Sequence, residues 1–466
     1  MKRRCTIRSD SLMLKIRLEA MLAGLAGRFP RPRGALSFAL PVIFENIIVF
    51  AIGMVVAAYV GKLNGTSLAA MGTGSSVIAM LTAFFCIITI SSSILTARLI
   101  GSGDAEGTSK AANQSLLFSI ASGVVVCAVL ALLAAPVMHL LIPSAEPQLF
   151  DEAVAFLRLS CISYPFYNVF ATGSGLLRAI GSSGAAMVGS VFLNVSYLAF
   201  VIVAITVLNL GLNGVGYALI LARVLAMLLI ILFMSKSHRF HLSLKDILIP
   251  DVPMIKRLLR LGLPASLEQL FVQSGYLIAN SLIVGLGTHE AAVFQVANST
   301  HPFSSVVQAI CSTAVITLVG QALGESDAAK AKKNVRTLWI AGMLASAVLG
   351  IVSALLGPHI TSLFSNDPSV IAESAEVLWI LLAYNVFAIS INVIDPTLRT
   401  GGDARFVMIT SACCVWLIRL PLTYLFCYVL SLGVWGIYLA NIINLAMRAA
   451  LGLIRYFKGK WTRIAV

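Results

Sequence analysis

Two glutamates interrupt long apolar stretches of the chain, and each follows a proline by four positions. Pro41 precedes Glu45, and Pro264 precedes Glu268. If these stretches cross a membrane, each acid is inserted at a cost of about 2.5 to 3.5 kcal/mol, in a medium that favours its protonated form. Such a group can exchange H+ or bind Na+. We predict that Glu45 and Glu268 are ion-binding sites and that Pro41 and Pro264 are hinges.

A purely structural role is the alternative for both glutamates. Each could stay protonated, or hydrogen-bond its neighbour Asn46 or Gln269, and fix only helix packing. Their recurrence at matching places favours function, because apolar side chains would satisfy packing alone. Asp395 is a third acid in an apolar stretch, but Pro396 follows it directly, so a turn or cap role competes.

Other polar side chains also lie within the apolar stretches. They either line a cavity or join helices through hydrogen bonds, and the sequence does not distinguish these two roles. Gln295, Asn298 and His301 are spaced by three residues, so they share a face of one helix. Besides the two glutamates, the predicted cavity-lining or ion-binding residues are Asn46, Gln269, Gln273, Asn280, Gln295, Asn298, His301, Tyr384, Asn385 and Asp395.

Three arginines, Arg223, Arg419 and Arg448, also lie within apolar stretches. A cation at such a place needs a partner or a route to water. We interpret the three as structural counter-charges or as anchors that face the aqueous side. The cysteines lack metal-ligand spacing, so apart from Na+ at a glutamate we expect neither a metal nor a cofactor.

The composition identifies the elements that must position these residues. Of 466 residues, 59% are hydrophobic and 11% are charged, and the mean hydropathy is +0.95. Soluble domains contain about a quarter charged residues. In hydrocarbon every backbone polar group must be satisfied internally, and the sequence lacks the alternating pattern of barrel strands. It therefore predicts an all-α integral membrane protein.

Apolar stretches of about 20 residues, enough to cross a bilayer, recur twelve times. The first six lie near residues 35–60, 70–97, 112–142, 151–177, 186–209 and 215–235. The second six lie near residues 257–285, 291–321, 335–365, 370–398, 406–431 and 434–457.

Basic residues between these spans fall almost entirely on one side. That side receives, among others, Lys236, Arg239, Lys330 and Arg405, whereas Lys62 is the only basic residue on the other. The positive-inside rule then predicts that both termini are cytoplasmic, in a multi-pass protein of the cell membrane. The net charge of +14 results mostly from the basic residues that set this topology. We therefore do not expect nucleic-acid binding.

The chain is predicted to divide into five segments. Residues 1–34 form a basic arm without the features of a signal peptide, so we expect it to be cytoplasmic and to contact lipid. The other segments are an N-terminal six-helix bundle at 35–235, a cytoplasmic linker at 236–256, a C-terminal six-helix bundle at 257–457 and a basic cytoplasmic tail at 458–466.

An internal repeat with an offset near 223 residues relates the two bundles. Besides the Pro-Glu pairs, the matched residues are Gly101 with Gly324, Arg178 with Arg399, Gly181 with Gly402 and Gly211 with Gly433. Because six is even, both halves enter from the same side, so the repeats are parallel. Parallel repeats predict a central cleft between the halves, where a ligand would bind.

Three motifs of the second half resemble those of multidrug and toxic compound extrusion (MATE) transporters. They are GQALG at 320–324, LRTGGDARF at 398–406 and WLIRLP at 416–421, and LPASLEQ at 263–269 is similar to one bacterial branch. The resemblance covers residues 35–457. It implies an antiporter that exports bulky, often cationic, organic compounds such as drugs and toxins, by alternating access in exchange for H+ or Na+.

The chain departs from the family where well-known members carry acids. Val56 and Val272 stand at or near two of those positions, and Asn280 lies near a third. The familiar coupling sites therefore cannot be transferred, and Glu45 and Glu268 take their place as candidates.

Two other functions remain as alternatives. A lipid-linked oligosaccharide flippase of the same superfamily would need a wide basic cavity, whereas the groups that open each half are acidic. A multispan membrane enzyme would need a catalytic cluster at a membrane face, and the sequence shows none. We expect a monomeric transporter, not an enzyme, whose partners are small organic molecules and the lipid bilayer.

Overall fold

The computed structural model describes residues 35–61, 63, 65–142, 146–237, 239–298, 301–362 and 367–462. The basic arm at 1–34 and the last four residues of the tail lie outside the described residues. Within the described part, all regular structure is helical, as the composition predicts. Apolar composition with few helix-breaking residues inside each stretch accounts for the length of these helices.

The first half of the chain contains six long helices followed by a short one. Their bounds are α1 Ala35–Gly61, α2 Gly65–Gly101, α3 Ala105–Leu141, α4 Pro147–Ala179, α5 Ser183–Thr206, α6 Gly211–Lys236 and α7 Leu244–Leu248. The short helix α7 lies within the predicted linker.

The second half has the same overall order with more interruptions. Its bounds are α8 Val252–Val284, α9 Thr288–Asn298, α10 His301–Gly324, α11 Ala328–Leu355, α12 Gly357–Thr361, α13 Pro368–Thr400, α14 Ala404–Cys413, α15 Leu420–Tyr424 and α16 Gly433–Phe457. A 3₁₀ turn at Lys460–Thr462 ends the described chain.

Nine helices among the described residues are long and apolar enough to cross a membrane. They are α1, α3, α5, α6, α10, α11, α13, α16 and the continuous helix Ala404–Val429 that contains α14 and α15. The helices α4 and α8 have 33 residues each but are more polar, and α2 contains two shorter apolar stretches. The protein is therefore a multi-pass membrane protein.

Two predicted spans are described as more than one helical element. The span near 291–321 is described as α9 and α10, and residues 299–300 between them lie outside the described part. The span near 406–431 becomes π-helical at Cys414–Arg419 and again at Leu425–Val429, on either side of Pro421. A proline interrupts the α-helical hydrogen-bond ladder because it lacks the amide hydrogen. Turns of π-helix within α-helices occur frequently at functional sites.

Glycines matched by the repeat adopt the same uncommon backbone conformation. The φ angles of Gly181 and Gly402 are 88° and 92°, and those of Gly211 and Gly433 are 56° and 54°. This left-handed region disfavours residues with a Cβ atom. The two halves therefore use the same local geometry where helices 4 and 5 of each predicted bundle meet and where the sixth begins.

Packing divides the described residues into two compact units. The first contains the described part of Met1–Leu68 together with Thr108–Ile249, and the second contains Ala69–Gly107 together with Pro250–Val466. In the first unit α4, α5 and α6 pack together and α1 packs on α5. In the second unit α13 contacts α10, α11 and α16, and α8 contacts α14. Most of α2 thus groups with the second unit instead of with its own predicted half.

Candidate ion-binding site and buried arginines

The first predicted acid, Glu45, is buried in the first unit and paired with a single arginine. Its Oε1 accepts a hydrogen bond of 2.6 Å from Nη2 of Arg178, the penultimate residue of α4. The residue is 9% exposed, and its Oε2 has no hydrogen-bond partner among the described residues. The neighbouring Asn46 donates to the Val42 carbonyl of its own helix, at 2.8 Å.

The matching acid of the second unit, Glu268, has more partners. Arg399, the penultimate residue of α13, donates to both carboxylate oxygens at 2.7 and 2.6 Å. Oε1 also accepts from the Ser411 hydroxyl at 3.0 Å and from Nη2 of Arg448. Glu268 is only 1% exposed, so four hydrogen bonds compensate a fully buried charge.

Asp395 belongs to the same cluster. It accepts from Nε and Nη2 of Arg448 at 2.9 and 2.6 Å, and it lies inside α13, four residues before Arg399. Asp395 therefore forms an ion pair within a helix instead of capping a turn. The cluster contains two carboxylates and two guanidinium groups, so its formal charges cancel.

Each glutamate joins its own helix to the end of another. Each is bonded to the penultimate residue of a neighbouring helix, Arg178 of α4 or Arg399 of α13. Along its own helix each acid lies well inside the ends, Glu45 within α1 and Glu268 within α8.

Arg419 is buried in the second unit and forms no salt bridge within the described part of the chain. It is 3% exposed, its guanidinium carbon lies 4.0 Å from the centre of the Tyr276 ring, and its Nε has no hydrogen-bond partner there. A cation–π contact contributes about 0.5 to 2 kcal/mol. An arginine at the centre of a membrane helix costs about 2.5 to 3.5 kcal/mol. The ring therefore offsets only part of that cost.

Two further tyrosines extend this group, Tyr384 beside Arg419 and Tyr438 beside Tyr384. The hydroxyl of Tyr384 shares a hydrogen bond with Tyr276 and interacts electrostatically with Arg419 and Tyr438. The Tyr438 hydroxyl is buried and has no hydrogen-bond partner among the described residues. We refer to Arg419, Tyr276, Tyr384 and Tyr438 as the Arg419 cluster.

A similar group in the first unit is the Arg223 cluster, which consists of Arg223, Ser163, Tyr164, Tyr167 and Tyr197. Nη1 of Arg223 donates to the Ser163 hydroxyl at 2.6 Å, and the guanidinium carbon lies 4.5 Å from the Tyr167 ring centre. Tyr164 and Tyr197 interact with the guanidinium electrostatically. In the described part of the chain Arg223 also forms no salt bridge.

The remaining predicted residues are dispersed. Tyr384 and Asn385 are buried in α13, whereas Gln295 is exposed and Asn298 is half-buried in α9. The side chains of Asn280 and His301 lie outside the described residues. Gln295 and Asn298 lie in α9 and His301 begins α10, and residues 299–300 between these helices are outside the described part of the chain. Gln269 and Gln273 are half-buried in α8.

Sequence reasoning missed the pairing of each glutamate with an arginine. The signal was present, because Pro-Glu and Leu-Arg recur together at nearly the same offset in both halves. Of the three arginines interpreted as counter-charges, Arg448 pairs with carboxylates as expected. Arg223 and Arg419 instead lie among tyrosines.

The fold and these clusters can now be compared with known proteins. The MatE family model matches residues 41–205 and 264–425, most of the chain. The chain therefore belongs to the MATE family of multidrug transporters, and it is a transporter and not an enzyme. This membership does not favour the flippase alternative.

Individual relatives are similar at low identity. A probable multidrug resistance protein NorM of Thermotoga maritima is 23% identical over 435 residues, which cover 92% of this chain and 93% of that protein. An outward-facing multidrug resistance MATE family transporter of the MOP superfamily has a TM-score of 0.85 at 21% identity, covering 95% and 99% of the two chains. A MOP superfamily transporter from Pyrococcus furiosus, described as having reverse polarity of its binding pocket, has a TM-score of 0.83 at 22% identity, covering 94% and 97%.

Proposed function

We propose that the protein is a secondary active antiporter that exports bulky organic compounds in exchange for H+ or Na+ by alternating access. The proposed architecture is twelve membrane-spanning helices in two parallel repeats of six, with a monomer as the working unit and both termini cytoplasmic. Nine apolar helices, three further long helices and the matched glycine conformations support this architecture. The excess of basic residues on one side supports the orientation.

The single observation that carries the coupling proposal is the unpartnered oxygen of Glu45. A proton or Na+ can bind at Oε2 without displacing Arg178, which holds only Oε1. At Glu268 both oxygens accept from Arg399, so an incoming ion would have to displace an arginine. Both glutamates remain candidates, and Glu45 is the one at which exchange needs the smaller rearrangement.

The prolines provide a route from ion binding to motion. Pro41 and Pro264 lie inside α1 and α8, four residues before each glutamate. Each removes one hydrogen bond from its helix, which makes bending there easier. In this proposal, a change of ion occupancy at Glu45 alters its pairing with Arg178 and so biases the bend of α1.

The test uses purified protein in proteoliposomes with a proton gradient or a sodium gradient imposed separately and with a panel of organic dyes. The Glu45→Gln variant should lose gradient-driven dye accumulation while it still binds dye without a gradient. Asp403→Asn is the matched control, because Asp403 is also a buried acid paired with an arginine, Arg455, at 2.6 Å. This control should keep coupled transport.

Two results would count against the proposal in different ways. Undiminished coupled transport by Glu45→Gln would remove Glu45 as the coupling site. Failure of either gradient to drive any dye in the wild-type protein would remove antiport itself.

A further inference from the structure

We propose that this transporter binds organic anions that carry a carboxylate or sulfonate next to an aromatic ring, and that Arg419 and Arg223 recognise them. This inference rests on the transport function proposed above and specifies its substrate class. It departs from the cationic compounds that the family resemblance implies.

The balance of unpaired charge favours an anion. The buried acids among the described residues are Glu45, Glu268, Asp395 and Asp403, and each is paired with an arginine. Arg419 and Arg223 lack an acidic partner in the same part of the chain. A cationic substrate would have to compete with an arginine for every buried carboxylate, whereas an anionic substrate would supply the charge that the buried Arg419 and the half-buried Arg223 lack.

The buried guanidinium of Arg419 has no acceptor of opposite charge. Its Nε is buried without a hydrogen-bond partner, and Arg419 forms no salt bridge among the described residues. The Nε of Arg399 also lacks a partner there, but Glu268 compensates the charge of Arg399. Buried polar groups are normally satisfied, so the uncompensated Arg419 indicates a missing acceptor. A guanidinium group matches the two oxygens of a carboxylate or sulfonate through parallel hydrogen bonds.

The Arg419 cluster also offers a surface on which the aromatic ring of the ligand can stack. Tyr276 covers the guanidinium of Arg419 on one side, and 39% of its surface is exposed. An aromatic ring can stack on such a half-exposed ring while the attached anionic group approaches the arginine. A small inorganic anion would leave this surface unused, which is why we assign an aromatic organic anion.

The helix that carries Arg419 is not a regular α-helix. Arg419 is the last residue of the π-helical turn Cys414–Arg419, and a second π-helical turn begins at Leu425. Each π-turn costs regular hydrogen bonding that an uninterrupted helix would keep, and such turns are concentrated at functional sites. Their location on both sides of Pro421 gives the segment the freedom to move the guanidinium when an anion binds.

The counterpart of Arg419 in the first half is a tyrosine that interacts with an arginine. With the spacing of 222 residues that separates Gly211 from Gly433, Arg419 corresponds to Tyr197. Tyr197 is itself a member of the Arg223 cluster. Each unit thus holds one guanidinium among tyrosines, although Arg223 and Arg419 are not counterparts in the repeat.

The test measures equilibrium binding to the full-length protein in detergent, by fluorescence anisotropy, of two dyes with the same xanthene skeleton. Fluorescein is the anion and rhodamine 6G is the cation. The wild-type protein should bind fluorescein at least about tenfold more tightly than rhodamine 6G. Arg419→Gln should weaken fluorescein binding about tenfold or more without weakening rhodamine 6G, and Arg419→Lys should have an intermediate effect.

Arg455→Gln is the matched control, because Arg455 also lies over an aromatic ring, Phe406 at 5.1 Å, but is paired with Asp403. It should bind both dyes like the wild-type protein. A wild-type preference for rhodamine 6G, or fluorescein binding that is unchanged in both Arg419→Gln and Arg223→Gln, would overturn the proposal.

A second measurement does not depend on the folding of any variant. Fluorescein methyl ester lacks the carboxylate charge, and the wild-type protein should bind it about tenfold more weakly than fluorescein. Equal affinities would contradict the proposal. Binding in detergent needs no ion gradient, so a failure of antiport leaves these results unaffected, and antiport of cationic dyes alone would reject only the substrate class.

Discussion

The two glutamates that follow a proline in each half have the same main partner and different surroundings. Glu45 is held by Arg178 alone and keeps one oxygen without a partner among the described residues. Glu268 is held by Arg399, Arg448 and Ser411, and both its oxygens accept hydrogen bonds. An ion can bind to the first carboxylate with little rearrangement, whereas the second resembles a structural anchor.

The sequence explains this difference at two positions. With the spacings of the repeat, Arg448 corresponds to Ala226 and Asp395 corresponds to Ser174. The first half therefore has neither member of the ion pair that Arg448 and Asp395 form in the second half. Because both are absent, neither is left as a buried charge without its partner. Two halves can share the Glu-Arg contact and still differ in how easily that contact opens.

The largest expected effect comes from removing the additional ion pair of the second half one member at a time. Arg448→Ala leaves Asp395 buried without its arginine, and breaking a buried pair costs about 3 to 5 kcal/mol of folding stability. Asp395→Ser should also destabilise, but less, because Arg448 keeps Glu268 as a partner. Thermal unfolding of the purified variants in detergent measures both effects.

The double variant with Arg448→Ala and Asp395→Ser gives the second half the residues of the first. The double variant removes a pair of opposite charges together. Its loss of folding free energy should therefore be smaller than the sum of the two single losses, by about 0.5 to 3 kcal/mol. Strictly additive losses would mean that the two residues do not stabilise each other and that the contrast between the halves has another origin.

The next largest effect is expected when each glutamate loses its main arginine, and the pH dependence of transport shows which glutamate is affected more. Arg178→Gln removes the only cation that pairs with Glu45 among the described residues, so the pH midpoint of transport should move upward by about one unit or more. Arg399→Gln leaves Glu268 with Arg448 and Ser411, so its shift should be smaller. The pH profile of dye uptake in proteoliposomes gives both midpoints.

Equal shifts in the two variants would show that the extra partners of Glu268 do not matter for coupling. Arg455→Gln serves as the reference for loss of a paired arginine elsewhere, and its pH profile should match that of the wild-type protein.

Composition and repeats predicted much of this molecule because they depend on local properties of the chain. The helical membrane fold follows from apolar length, and the matched glycines follow from backbone conformations that only a few residues tolerate. The π-helical turns beside Pro421 were not predictable, because they depend on how one helix packs and not on its hydropathy. The sequence also did not predict the tyrosine partners of Arg419 and Arg223, because a tyrosine in an apolar stretch cannot be distinguished from an ordinary packing residue.

The smallest expected effect concerns a second contact that the halves form differently. In the first half, the Ser67 hydroxyl donates to Glu152 at 2.6 Å, near the starts of α2 and α4. In the second half, near the starts of α9 and α13, the corresponding contact joins His289 Nε2 and Glu373 at 2.9 Å. The hydrogen bond with Glu373 raises the pKa of His289, so only the second contact titrates near neutral pH.

A raised histidine pKa stabilises the folded protein fully below the ordinary value of about 6.5, and this contribution disappears as the pH rises through the raised value. The wild-type protein should therefore melt slightly above His289→Ser at about pH 5.5 and level with it at about pH 9. Ser67→Ala should lower the melting temperature equally at both pH values, because the Ser67 hydroxyl does not titrate in this range. A pH-independent effect of His289→Ser would mean that the contact with Glu373 acts as a neutral hydrogen bond, like its counterpart in the first half.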